Sequence, residues 1–199
     1  MVTYDTLTKS PKKLVRQLPS FKTNFTLDFR ELEEGHFSDA RKLIKNVCYD
    51  LHPDFVVSYD HVPLDDESLV NFGAFLTDER GKEALVAMLR ADFDYQLPRF
   101  VKEQAGITTH RTASLCGAIV LEQLQRLGIM GMFVEHLHDI IYDMDYDYSS
   151  LTITKENLSA RNFANKNYSH KPYPIIDYDD VPCDLYLKNL NDAQLLKSL

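Results

Sequence analysis

The segment QRLGIMG, Gln125 to Gly131, sets two glycines, Gly128 and Gly131, at the head of an apolar helical pattern. Glycine takes backbone angles that a Cβ forbids and lets a ligand approach the main chain closely. The first turn of a helix leaves amide N–H groups without partners and carries partial positive charge. A turn of this kind is therefore suited to anionic oxygens, phosphate above all. The same glycines serve equally well as a tight connection between packed elements, with no ligand at all. Met130 stands between them and puts a large side chain where a phosphate would approach, for which Gly131 would compensate through a shifted turn.

Other groupings imitate chemistry that their spacing does not support. His138-Asp139, with His110 upstream, has the look of a metal phosphohydrolase pair, but the helical pattern turns Asp139 away from the apolar stripe. Asp143, Asp145 and Asp147 imitate the start of a calcium loop, yet Tyr148 occupies the place of its glycine and Thr154 that of its glutamate. Glu135 and His138 make one Glu-x-x-His, where a di-iron bundle needs two and further carboxylates. Cys48, Cys116 and Cys183 are odd in number and widely spaced, which indicates neither a disulfide framework nor a CxxC metal site. No metal is expected.

The elements around these residues follow from periodicity. In NFTLDFR, Phe25, Leu27 and Phe29 alternate with polar residues, predicting a half-buried strand. Ser38 is placed to cap a helix whose stripe is Ala40, Leu43, Ile44, Val47 and Cys48, ending before Pro53. DFVVSYDHVPL holds a short extended piece, and DDESLVNFGAFLTD reads as a second helix with an acidic first turn. EALVAMLRADFD is either helix or buried strand. TASLCGAIVL leans to strand on Gly117 and the pair Ile119–Val120. Met130, Phe133, Leu137, Ile140, Ile141 and Met144 share a helical face. SSLTIT then alternates as a strand, and residues 155–167 form a short helix with Asn167 as a left-handed cap. The Pro- and Tyr-rich segment from Tyr168 to Leu190 suits edge strands, and a terminal helical turn follows.

In order, residues 112–167 read strand, glycine turn, helix, strand, helix, and here the sequence resembles the GCN5-related N-acetyltransferases. That family's pyrophosphate motif, Gln/Arg-x-x-Gly-x-Gly/Ala, is met by QRLGIM at Gln125 and Gly128, with Met130 departing at the last place. Its later Asn-x-x-Ala-x-x-Phe-Tyr is similar to NLSARNFA, with Asn157, Ala160 and Phe163 in place and Ala164 where tyrosine is usual. The opening FTLDFRELEEGHFSDARKLIKNV resembles the family's first strand and helix. The likeness covers about half the chain. It implies a twisted mixed β-sheet flanked by helices in a single α/β domain, binding acetyl-CoA as co-substrate, with an amine attacking the thioester directly. On that resemblance Val120 and Leu121 lie nearest the thioester, and Gln125, Arg126, Gly128, Ile129, Met130, Gly131, Asn157 and Phe163 hold the coenzyme. His110 and Glu122 are then the candidate bases, each weighed against a core histidine or a surface glutamate. Tyr168 is the nearest substitute for the missing acid.

Composition sets the outer bounds. The chain has 199 residues, 44% hydrophobic and 26% charged, which suits one folded domain. No apolar run reaches a membrane-spanning length and no signal peptide opens the sequence, so a cytoplasmic protein with no membrane partner is expected. A net charge of −8 disfavours nucleic acid and suits a cationic or amine acceptor, small molecule or protein. Residues 1–22 form a basic arm, 23–185 the acetyltransferase-like domain and 186–199 a tail. The alternative class is a non-catalytic relative with a decayed site, an assembly or binding subunit, for example of a phage particle. Arm and tail would then dock it to a copy of itself or to another subunit.

Overall fold

The computed structural model describes residues 14–16, 25–48, 64, 66, 68–107, 111–168, 171–176 and 181–192. Strands β1 (Leu14–Arg16), β2 (Phe25–Glu31), β3 (Leu69–Thr77), β4 (Glu83–Asp92), β5 (Thr112–Val120), β6 (Tyr148–Thr154), β7 (Tyr173–Ile176) and β8 (Pro182–Asn189) form one mixed sheet. Its order is β1-β2-β3-β4-β5-β6-β8-β7. Helices α1 (Phe37–Cys48), α2 (Arg99–Ala105), α3 (Ile129–Asp143) and α4 (Leu158–Asn167) flank it. This is the α/β architecture expected from the sequence. The chain divides into two compact units, one of Met1–Arg90 with Gly117–Leu137, the other of Ala91–Cys116 with His138–Leu199.

In the first unit, β2 and β3 pair antiparallel with Phe29 opposite Ala74. Leu27 and Phe29 are buried, and the Phe29 ring lies 5.1 Å from that of Phe133 on α3. Asp28, expected on a wet face, is buried too and accepts a hydrogen bond from Arg30 Nη1 at 2.9 Å. Ala40, Leu43 and Ile44 of α1 bury their stripe against Leu32, Leu64, Phe75, Met88 and Ile119.

Ser38 does not cap α1, because the chain enters through a 3-10 turn at Glu34–His36, begun by a reciprocal Glu33–His36 box. Among the described residues of the segment 65–78, no helix forms. Its Leu69–Thr77 portion is β3, buried on both faces from Val70 to Phe75, which erases the alternation that marks a strand. The Glu83–Asp92 ambiguity resolves to strand for the same reason.

In the second unit, β5 and β6 are parallel from Thr112↔Tyr148 to Leu115↔Leu151, and β8 pairs antiparallel with both β6 and β7. Helix α2, not anticipated from the sequence, packs Leu97, Val101 and Ile107 on Leu185 and Leu187. Helix α4 starts at Asn157, whose side-chain oxygen accepts from the Ala160 amide at 3.0 Å. Asn167 is not a left-handed cap: it stays helical, and its side chain donates to the Phe163 carbonyl at 2.8 Å.

Within the expected basic arm of residues 1–22, residues 14–16 are a strand paired with β2, and the rest of the arm lies outside the described residues. The extended piece expected in residues 54–64, apart from Leu64, and the tail beyond residue 192 lie outside them as well. Among the described residues, no helix is long and apolar enough to cross a membrane.

Candidate active site

The turn between β5 and α3 belongs wholly to the first unit. After Val120 the Leu121 amide donates to the Val86 carbonyl at 2.8 Å, tying the end of β5 to β4. A 3-10 turn follows at Glu122–Leu124, with Leu124 buried beneath it. The Gln125 side chain reaches back and donates to the Val120 carbonyl at 3.2 Å. Arg126 and Gly128 both take left-handed backbone angles, φ 63° and 82°. The reversal that begins α3 is made there, and at Gly128 only glycine adopts the angle without strain.

The first α-helical bond of α3 runs from the Met132 amide to the Gly128 carbonyl. Among the described residues, the amides of Ile129, Met130 and Gly131 therefore have no backbone acceptor. A Cβ added at Gly128 or Gly131 would meet no heavy atom within 4 Å. The Ile129 side chain is buried and anchors the turn, while Met130 is half-buried beside it. Three unpaired amides at a helix start, bordered by open space, form a cradle for an anionic group. At Gly128 the Met130 side chain does not come within 4 Å of the Cβ position.

Leu121 and Gln125 have different jobs from those expected. The Leu121 amide donates to the Val86 carbonyl, and the Gln125 side-chain amide holds the turn itself. Glu122 is exposed at the start of its turn. His110 lies outside the described residues.

The second unit brings together a group that no motif revealed. The Tyr168 hydroxyl is 3.0 Å from His138 Nε2 and 3.2 Å from Ser149 Oγ, all three residues being buried. Burial pushes the Tyr168 phenol above its ordinary range, with the Ser149 hydrogen bond pulling weakly the other way. At neutral pH the hydroxyl keeps its proton. Ala164, which the sequence resemblance sets at the place of a tyrosine, is fully buried. Asn157 spends its side-chain oxygen on capping α4, and Phe163 is half-buried on that helix. The histidine of the His138-Asp139 pair is engaged with Tyr168, a partnership that dipeptide spacing does not show.

Solved structures share this fold. An N-acyl amino acid synthase, FeeM, from uncultured soil microbes superposes with a TM-score of 0.60 at 13% identity, over 92% of this chain and 93% of that one. A chimera of the Vibrio cholerae spermidine N-acetyltransferase SpeG and hSSAT gives 0.59 at 14% identity, over 84% and 98%. Arabidopsis thaliana NAA60, solved in complex with acetyl-CoA, gives 0.59 at 11% identity, over 83% and 99%. No protein-family model matches the sequence, and no curated protein matches it. The class that the architecture defines is the fold of the GCN5-related N-acetyltransferases.

Proposed function

We propose that the protein transfers an acetyl group from acetyl-CoA to an amine. The observation that carries this reading is the open turn before α3, with the Ile129, Met130 and Gly131 amides unpaired beside two glycines whose Cβ positions are empty, in a fold shared with acetyltransferases. The diphosphate of the coenzyme is the anion those amides suit. Arg126, exposed on the same turn, adds a positive charge that a diphosphate attracts.

The reaction forms a C–N bond as the amine lone pair attacks the thioester carbonyl carbon, and breaks the C–S bond as the tetrahedral intermediate collapses. The Val120 amide polarises the carbonyl oxygen. Glu122, by way of water, accepts the proton that the amine loses, and the departing thiolate takes a proton from solvent. Tyr168 is a buried strut in this scheme.

Calorimetric titration with acetyl-CoA tests it. Micromolar binding that disappears when the diphosphate-bearing half of the ligand is omitted is expected, and absence of binding at millimolar acetyl-CoA would remove the reading.

A further inference from the structure

Arg90 on β4 is 7% exposed, and its Nε is sealed from solvent with no hydrogen-bond partner. Among the described residues its guanidinium enters no hydrogen bond and no ion pair. Asp66 feels the Arg90 charge, but its Oδ1 is already occupied by the Ser68 amide at 2.9 Å and the Ser68 hydroxyl at 2.6 Å.

Arginine stays charged at every working pH, and a buried charge without a partner is costly, so native proteins pair such groups or supply a ligand. The other arginine of this unit with a buried neighbour, Arg30, is answered by Asp28 and Glu83. Arg90 is not. The chain also makes room for it, because a Cβ at Gly117 of β5 would sit 3.0 Å from Arg90 Cδ and 3.5 Å from Cγ. The arginine stem packs over Gly117, where β5 carries no side chain.

Three residues further along the strand is Val120, to which the proposed reaction assigns the thioester carbonyl. At the strand rise this is about 10 Å, a span that an arginine side chain and a small acceptor cover together. A lone guanidinium matches a singly charged, planar carboxylate through paired N–H donors, whereas a phosphate dianion gathers several donors. We propose that Arg90 binds the carboxylate of an amine acceptor that carries both groups. This rests on the acetyl-transfer reading for its site and on the orphaned guanidinium for its chemistry.

The test uses thermal unfolding of the full chain with millimolar free α-amino acids and with the matching amino acid amides at equal ionic strength. For the wild type, at least one free acid raises the midpoint by a few degrees and its amide does not. Arg90→Met loses that difference, still responds to acetyl-CoA, and without ligand melts no lower than the wild type, because a buried uncompensated charge has been replaced by an apolar side chain. Arg90→Lys restores only part of the response. Equal behaviour of acids and amides on the wild type, or a difference that survives in Arg90→Met, overturns the assignment. A missing response to acetyl-CoA with the acid–amide difference intact would sink the donor reading and leave Arg90 as a carboxylate site.

Discussion

The hydroxyl of Tyr168, at the end of α4, and Nε2 of His138, in the second half of α3, are 3.0 Å apart in a buried setting, with Ser149 Oγ of β6 completing the group at 3.2 Å. One phenol thus links three elements of the second unit. Removing the oxygen while keeping the ring isolates its contribution. Tyr168→Phe is expected to lower stability by about 1–2 kcal/mol, because two buried polar partners lose their bond and no cavity is made. Urea unfolding measures this. Acetyl transfer by the variant should fall less than tenfold if Tyr168 is a strut, and a loss of a hundredfold or more would restore it as the acid.

The same phenol sets an alkaline limit. Burial raises its pKa in the folded chain above the value near 10 of an unfolded tyrosine, so folding favours the protonated form. The resulting stability is complete below about pH 10 and is lost as pH rises from there toward the folded value, at up to about 1.4 kcal/mol per pH unit. Tyr148 adds a smaller slope of the same sign, raised by burial first and then by Asp147, Asp192 and Tyr173. Urea midpoints between about pH 9 and pH 11 should fall more steeply for the wild type than for Tyr168→Phe. Identical slopes would mean that the phenol ionises freely in the folded chain.

Where one face of an element meets solvent, the sequence announces it. Leu27 and Phe29 of β2, the Ala40–Leu43–Ile44 stripe of α1 and the apolar face of α3 are all readable from spacing, because burial on one side imposes a period. Val70 to Phe75 of β3 is buried on both sides, so its period vanishes and the acidic residues before it mimic a helix start. The glycine turn was legible because its chemistry is local: Gly128 and the unpaired amides are neighbours in the chain. The His138–Tyr168–Ser149 group and the Gly117–Arg90 contact join residues far apart in sequence, and no spacing rule marks such pairs.

Filling the mouth of the cradle separates binding from backbone geometry. Gly131 lies in the first turn of α3, outside the left-handed region, with open space at its Cβ. Gly131→Phe therefore fits the helix without strain and places a ring over the Ile129–Gly131 amides. Acetyl-CoA affinity should drop at least tenfold, about 1.4 kcal/mol, with the unfolding midpoint unchanged or higher. Calorimetry paired with a thermal melt reads both. Unaltered affinity would place the diphosphate elsewhere.

Asn157 offers the opposite separation. Its side-chain oxygen caps α4 through the Ala160 amide, so Asn157→Ala should cost about 1 kcal/mol and Asn157→Asp very little. Neither should change acetyl-CoA affinity by more than twofold. A large change in affinity with unaltered stability would return Asn157 to the coenzyme, as the sequence resemblance implied.

Gly117 carries two constraints that a double-mutant cycle resolves. Its φ of 60° strains any residue with a Cβ, and that Cβ would press on Arg90 Cδ at 3.0 Å. Gly117→Ala should therefore destabilise by about 1–2 kcal/mol in the wild-type background. With Arg90→Ala already in place the stem is gone and only the backbone strain remains, so the same glycine substitution should cost less by about 0.5 kcal/mol or more. The strain persists in both backgrounds, whereas the contact exists in one, and the difference between the two costs reports the contact alone. Strict additivity in urea unfolding would mean that the arginine stem does not rest on Gly117.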